Sequence, residues 1–136
     1  MALGNPLEAR RFVGEYLQCF PSDENALFLD VKYAMASQNK LDALVELSKL
    51  IELNPSNSEY LKLRGETYYH YEMWQNAFYD FSMALDINAR DAELNYFMGR
   101  CKFRQESVQK ACFYWRRAAG SKSREAAEMF YQYCEE

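Results

Sequence analysis

The sequence predicts an all-α fold of about eight antiparallel helices stacked as a repeat. Three observations predict it. Apolar residues recur at helical spacing along the chain, as in Leu7, Phe12, Val13, Tyr16 and Leu17. Glycine and proline are scarce, 5 and 3 of 136 residues, which disfavours a loop-rich or all-β chain. Four sets of residues also return every 34 positions: Ala9, Ala43, Ala77 and Ala111; Val13, Leu47, Phe81 and Trp115; Val31, Gly65 and Gly99; Pro21 and Pro55. Such a period marks units that cannot bury their apolar faces singly and must stack.

The elements follow in order. Residues 7–19 have one apolar stripe and a start at Asn5-Pro6. They form the second helix of a repeat whose first helix is missing, and Pro21 terminates them. Residues 24–57 are the first full unit, with Asp23 or Ser22 as N-cap. Its helices run about 24–37 and 40–53, broken at Ser37-Gln38-Asn39 and ended by Pro55. Ala43, Leu44, Leu47, Leu50 and Ile51 make the buried stripe of the second helix. This unit is degenerate, with Val31 and Ala34 where the next has Gly65 and Tyr68, and Lys40 suggests a turn shifted by one residue. Residues 58–91 are the clearest unit, with helices at about 58–71 and 74–87. Residues 92–121 are the third, with helices at about 92–104 and 107–119 and Gly120 as a C′ stop. Residues 122–134 are a last helix with Ala126, Met129, Phe130 and Tyr133 on one face, and Glu125, Glu128, Glu135 and Glu136 suit its solvent side. The whole is expected to be one domain, 1–136.

Leu61, Arg64-Gly65, Tyr68, Ala77 and Phe81 follow the spacing W-x2-L-G-x2-Y…A-x3-F. The chain therefore resembles the tetratricopeptide repeat (TPR) family over nearly its whole length. It looks like a small TPR protein, similar at ACFYWRRAAGSKSREAAEMFYQYC to the ends of bacterial ones, or a TPR domain of a larger protein. The resemblance implies an α-α superhelix (TPR solenoid): one N-terminal half-repeat, three TPR units and one C-terminal capping helix. The first helix of each unit would line a groove.

Composition narrows function. The net charge of −4 argues against a nucleic-acid partner. Residues 1–89 hold 7 basic and 13 acidic side chains, whereas 90–124 hold 9 and 3, which favours an acidic partner at the third unit. Cys19, Cys101, Cys112 and Cys134 form no C-x-x-C, and His70 is the sole histidine, so no zinc site is expected. The cysteines read as four core thiols in a reducing compartment. A disulfide between Cys101 and Cys112, on adjacent helices, is the alternative. No apolar leader or membrane-length run is visible, which predicts a cytoplasmic protein without membrane insertion. Gly-rich phosphate loops and hydrolase or metalloprotease motifs are absent, and carboxylate pairs such as Glu8/Glu15 and Asp80/Asp86 read as exposed helix charges. The chain is thus expected to be no enzyme and to need no cofactor.

The resemblance also assigns a binding face. Inner-helix positions of the TPR family fall on Phe28, Leu29 and Lys32 in the first unit. In the second they fall on Lys62, Leu63, Glu66, Tyr69, His70 and Met73. In the third they fall on Tyr96, Phe97, Arg100, Phe103 and Arg104, with Phe130 and Tyr131 added by the last helix. Phe28, Leu29, Leu63, Tyr69, Tyr96, Phe97 and Phe103 would together make an exposed apolar patch, unless the rings touch one another or the last helix or a second copy covers them. The family's carboxylate clamp for chaperone tails requires Lys, Asn, Asn, Lys and Arg. Phe28, Lys32, Leu63, Glu93 and Phe97 stand there instead, so that ligand is excluded. The face suits an extended or helical peptide with apolar side chains, and Arg100 and Arg104 suit an acidic group on it. The expected role is therefore a scaffold binding a protein or peptide partner. The alternatives are a self-associating structural module forming a homo-oligomer, or a secretion-type TPR chaperone.

Overall fold

The computed structural model describes residues 5–120 and 123–134. Among them are eight helices and no strand: α1 (Pro6–Cys19), α2 (Glu24–Ala36), α3 (Lys40–Leu53), α4 (Ser58–His70), α5 (Trp74–Ile87), α6 (Ala92–Arg104), α7 (Val108–Gly120) and α8 (Arg124–Tyr133). They form two compact units, residues 1–56 and 57–136. Ser121 of the expected third unit, Lys122 of the expected last helix, and Glu135 and Glu136, expected on the solvent side of that helix, lie outside the described residues.

The 34-residue period is written into the ends of the helices as well as their faces. Asp23, Asn57 and Asp91 each cap the helix that follows, accepting from Ala26 N, Glu59 N and Glu93 N respectively. A short side chain carrying an oxygen satisfies one otherwise orphaned N–H there. Gln38, Glu72 and Glu106 link the paired helices, and all three have positive φ, 63°, 61° and 64°. A left-handed residue turns the chain sharply enough for the next N–H to reach back, from Asn39 to Ala34, Met73 to Tyr68 and Ser107 to Lys102. Two expectations are corrected here. The turn before Lys40 is not shifted, because α3 starts in the same register as α5. Gly120 is the last residue of α7 and not a left-handed stop, since no described glycine has positive φ.

In the 1–56 unit, α1 packs on α2 and α2 on α3, burying Ala9, Leu27, Val31, Ala34, Ala43, Leu47 and Leu50. Arg10 ties the three helices together, with Nε 2.9 Å from Asp30 and Nη1 2.9 Å from Asp42. Leu7, Phe12 and Tyr16 of α1, and Phe20 just after it, are exposed.

In the 57–136 unit, five helices pack in sequence around Leu61, Ala77, Phe81, Leu94, Met98, Ala111, Trp115 and Ala118. The controlling contact is glycine against an aromatic ring. A Cβ on Gly65 would stand 2.7 Å from Phe81, and one on Gly99 would stand 2.3 Å from the Trp115 indole. Both rings are fully buried and have nowhere to swing. Trp115 Nε1 donates to Tyr96 O at 3.2 Å, which satisfies its only donor. The 1–56 unit solves the same volume problem differently, with Val31 on the glycine register and Leu47 on the aromatic one.

Two other readings are corrected. Asp80 is not an exposed helix charge but is 1% exposed, held by Arg64 through Nε–Oδ2 and Nη2–Oδ1 bonds of 2.8 Å each. The face opposite Asp86 points into the helix pair, where a carboxylate persists only with a bidentate partner. The cysteines are not four core thiols, and Cys101 and Cys112 are not bonded. Cys112 is joined to Cys134, with their Cα atoms 5.7 Å apart, while Cys101 is buried and free and Cys19 is exposed. Antiparallel packing of α7 and α8 brings the first pair together, whereas Cys101 faces the core. Asn95, on the register of Leu27 and Leu61, is buried, and its Oδ1 has no partner among the described residues.

Two outcomes are expected. Gly65→Val alone should destabilise by about 1–3 kcal/mol through overpacking. Adding Phe81→Leu, which recreates the Val31/Leu47 solution, should recover much of that, with a coupling of roughly 1 kcal/mol in a urea-unfolding double-mutant cycle. Arg64→Met should cost about 3–5 kcal/mol by stranding buried Asp80. Adding Asp80→Leu should return stability to near the starting value, and additive losses would contradict this account.

Candidate functional site

The face formed by α4, α6 and α8 gathers most of the expected residues of the 57–136 unit. Tyr69 and Phe97 meet edge-on at 6.3 Å between centroids, and Tyr96 and Phe97 at 5.5 Å. Tyr69 also meets Trp74 at 4.9 Å. The Arg100 guanidinium lies 4.9 Å from the Tyr69 centroid and 5.6 Å from that of Tyr96. No carboxylate pairs with it among the described residues. Arg104 lies 5.1 Å over Trp74 and reaches Glu72 only at 3.9 Å; both partners are exposed, so this pair is worth little.

The expected exposed patch does not form. Of Phe28, Leu29, Leu63, Tyr69, Tyr96, Phe97 and Phe103, only Leu29 is exposed; the others are half-buried. The cause is ring-on-ring packing plus the last helix. Phe97 stacks on buried Phe81 at 5.2 Å. Phe103 lies 4.7 Å from Tyr133 of α8 and 5.6 Å from Trp115. Phe130 packs on the α7 core, with Arg116 5.5 Å above its ring, while Tyr131 is exposed.

Two hollows remain. One, about 110 Å³, is lined by Tyr69, Arg100, Phe103, Arg104 and Met129. The other, about 260 Å³, is lined by Ala92, Glu93, Tyr96, Phe97, Ser123 and Glu125. Trp74, Met129, Ser123 and Glu125 were not legible as site residues. Met129 had a signal, since it stands on the apolar stripe of α8; Trp74 follows the left-handed turn at Glu72, which only geometry reveals.

At the other end of the face, Lys62 is not a free cation. Its Nζ is 2.8 Å from Glu93 and 3.2 Å from Asp91. Burial lowers its pKa, but the bonds to Glu93 and Asp91 more than offset this, and the net shift is upward. Burial first, then repulsion from Glu93, holds the Glu66 carboxyl above its ordinary range, with Lys62 opposing. Burial likewise raises Tyr69, against Arg100. Leu63 is half-buried, and His70 and Met73 are exposed. In the other unit, Lys32 lies 4.6 Å over the Phe28 ring. Leu29 lines a hollow of about 310 Å³ with Val13, Tyr16, Asp23, Asn25 and Ala26. Among the described residues no His/Cys/Asp/Glu group could hold a metal, and no helix is long and apolar enough to cross a membrane.

No family model matches the chain. Solved structures do. A MamA structure aligns with a TM-score of 0.82 at 18% identity, covering 91% of this chain and 76% of that one. MamA from Desulfovibrio magneticus RS-1 gives 0.82 at 16%, covering 88% and 68%. The TPR domain of Arabidopsis OM64 gives 0.75 at 16%, covering 82% and 93%. The chain has a TPR-like, all-helical fold. Its class is the α-α superhelix of TPR domains. A bovine SGT1 homolog is 32% identical over 71 residues, 52% of this chain. The match spans only 21% of that relative's length. The TPR-like register accounts for the glycine–ring contacts.

Glu66 gives this face a pH signature. An acid with a raised folded pKa weakens the fold when charged, and the cost vanishes once it is protonated. Glu66→Gln should therefore raise the Tm at neutral pH, and the gain should shrink as pH falls through the raised Glu66 value to the ordinary carboxylate range. A gain that is constant with pH in paired thermal melts would contradict it.

Proposed function

We propose that the chain is a non-enzymatic protein–protein interaction module. Its α4/α6/α8 face takes an extended or helical, partly apolar peptide segment that carries an acidic group. Arg100 carries the reading. Its half-buried guanidinium rests on two tyrosine rings, borders a hollow with Phe103 and Met129, and has no carboxylate partner among the described residues. A cation already held by aromatic faces loses little freedom when it meets a carboxylate, and the resulting hydrogen bonds are charge-assisted.

Size supports a peptide over a small molecule. A hollow of about 110 Å³ admits one side chain, whereas small-molecule sites run to roughly 300–1,000 Å³. The TPR-like fold agrees, since stacked helical repeats present extended surfaces to protein partners. Phe28, Leu29 and Lys32 extend the proposal to the first unit by themselves: an exposed leucine and an exposed lysine, beside a half-buried phenylalanine, offer the same chemistry.

A display library of random peptides panned against the chain tests the reading. Enriched segments should pair apolar residues with Asp, Glu or a free C-terminus, and Arg100→Glu should abolish the enrichment while leaving helical circular dichroism unchanged. Enrichment that survives Arg100→Glu would overturn the assignment.

A further inference from the structure

We infer that α8 is a redox-released cap: reduction of the Cys112–Cys134 disulfide frees α8 from α7 and uncovers the aromatic and arginine wall of α6. As a means of controlling partner access, the cap rests on the interaction reading above; as a structural switch, it stands on the following observations.

The first is how little else holds α8. The helix has 10 residues, too few to persist without tertiary support. Ala126 is its one fully buried side chain. Met129 and Phe130 pack only partly on the Ala111–Trp115–Ala118 stripe of α7. At its far end the covalent tie is Cys134 to Cys112, two residues separated by 22 positions in the chain. Removing such a tie restores freedom to the whole segment at once.

The second is what α8 covers. Tyr133, one residue before the tie, lies on Phe103 at 4.7 Å and near Trp115 at 6.2 Å. Met129 forms one side of the hollow that holds Arg100 and Arg104. Ser123 and Glu125, at the start of the helix, border the second hollow beside Tyr96 and Phe97. Both hollows of the candidate face are thus bounded by α8, and both open when it leaves.

The third is chemical access. Cys112 and Cys134 are half-buried, so a reagent can approach them. A dithiol supplies the two electrons. Its thiolate attacks one sulfur and displaces the other as a thiolate, and its second thiol then closes the reagent's own disulfide. Cys112 and Cys134 are left as free thiols and the dithiol is oxidised. Cys101 does not intercept the exchange, because it is fully buried and burial pushes its thiol up to about 12.

The test uses the full chain carrying Cys19→Ser, which removes the exposed thiol of α1 and with it exchange between molecules. Hydrogen exchange is compared before and after treatment with dithiothreitol. Amides of 124–134 should exchange at least about tenfold faster after reduction, while those of α4 to α7 change by less than about twofold. Fluorescence of the anionic apolar dye anilinonaphthalene sulfonate should rise together with that exchange. Cys134→Ser should reproduce both effects without reductant. Unchanged exchange over 124–134 overturns the cap. So does acceleration that spreads through α4 to α7, or a released α8 with unchanged dye binding. Failure of the interaction reading shows separately, as absent Arg100-dependent peptide enrichment in both redox states, while exchange and dye binding still decide the cap.

Discussion

In the 57–136 unit, the packing of α4 on α5 and of α6 on α7 depends on two glycines meeting two rings. Gly65 and Gly99 bring their helices close enough that any Cβ would enter Phe81 or Trp115. That closeness sets how each helix pair sits, and so which side chains of α4 and α6 reach a common face. Interiors packed at crystal density absorb such a contact only as a matched pair. The first unit confirms the constraint by meeting it another way, with Val31 and Leu47 sharing the volume between two aliphatic side chains.

Polar groups are placed with the same economy. Asp80 is buried because Arg64 grips both its oxygens, and Arg10 plays a related part for Asp30 across α1 and α2. These bonds orient helices more than they stabilise them, since the gain from pairing roughly offsets the desolvation of both charges. Arg100 differs from these arginines. It is held by ring faces and has no carboxylate partner among the described residues. Arg10 and Arg64 meet acids, whereas Arg100 meets two tyrosine rings.

The helices were legible almost to the residue, because a 34-residue period repeats the same apolar, small and aromatic positions and each unit corrects ambiguities in the others. The start of α3 shows this: Lys40 alone suggested a shifted turn, yet the chain keeps the register of α5. Less legible were positions whose role depends on a neighbouring helix. Nothing in Asp80 distinguishes it from Asp86 until Arg64 lies across from it. Cys112 seemed nearer to Cys101 until α8 folded back and Cys101 turned inward. Phe103 read as part of an exposed patch, yet Tyr133 of α8 lies on its ring and leaves it half-buried.

The sequence by itself determined the number, order and type of the helices and the register on which small and aromatic residues recur. These depend on local periodicity and on volumes that recur at fixed spacing. Only the tertiary structure decided which charges are buried, which cysteines are joined, and how much of the aromatic face is open. Those outcomes depend on distances between side chains far apart in the chain, and a repeat pattern carries no information about the one helix, α8, that has no counterpart in the other units.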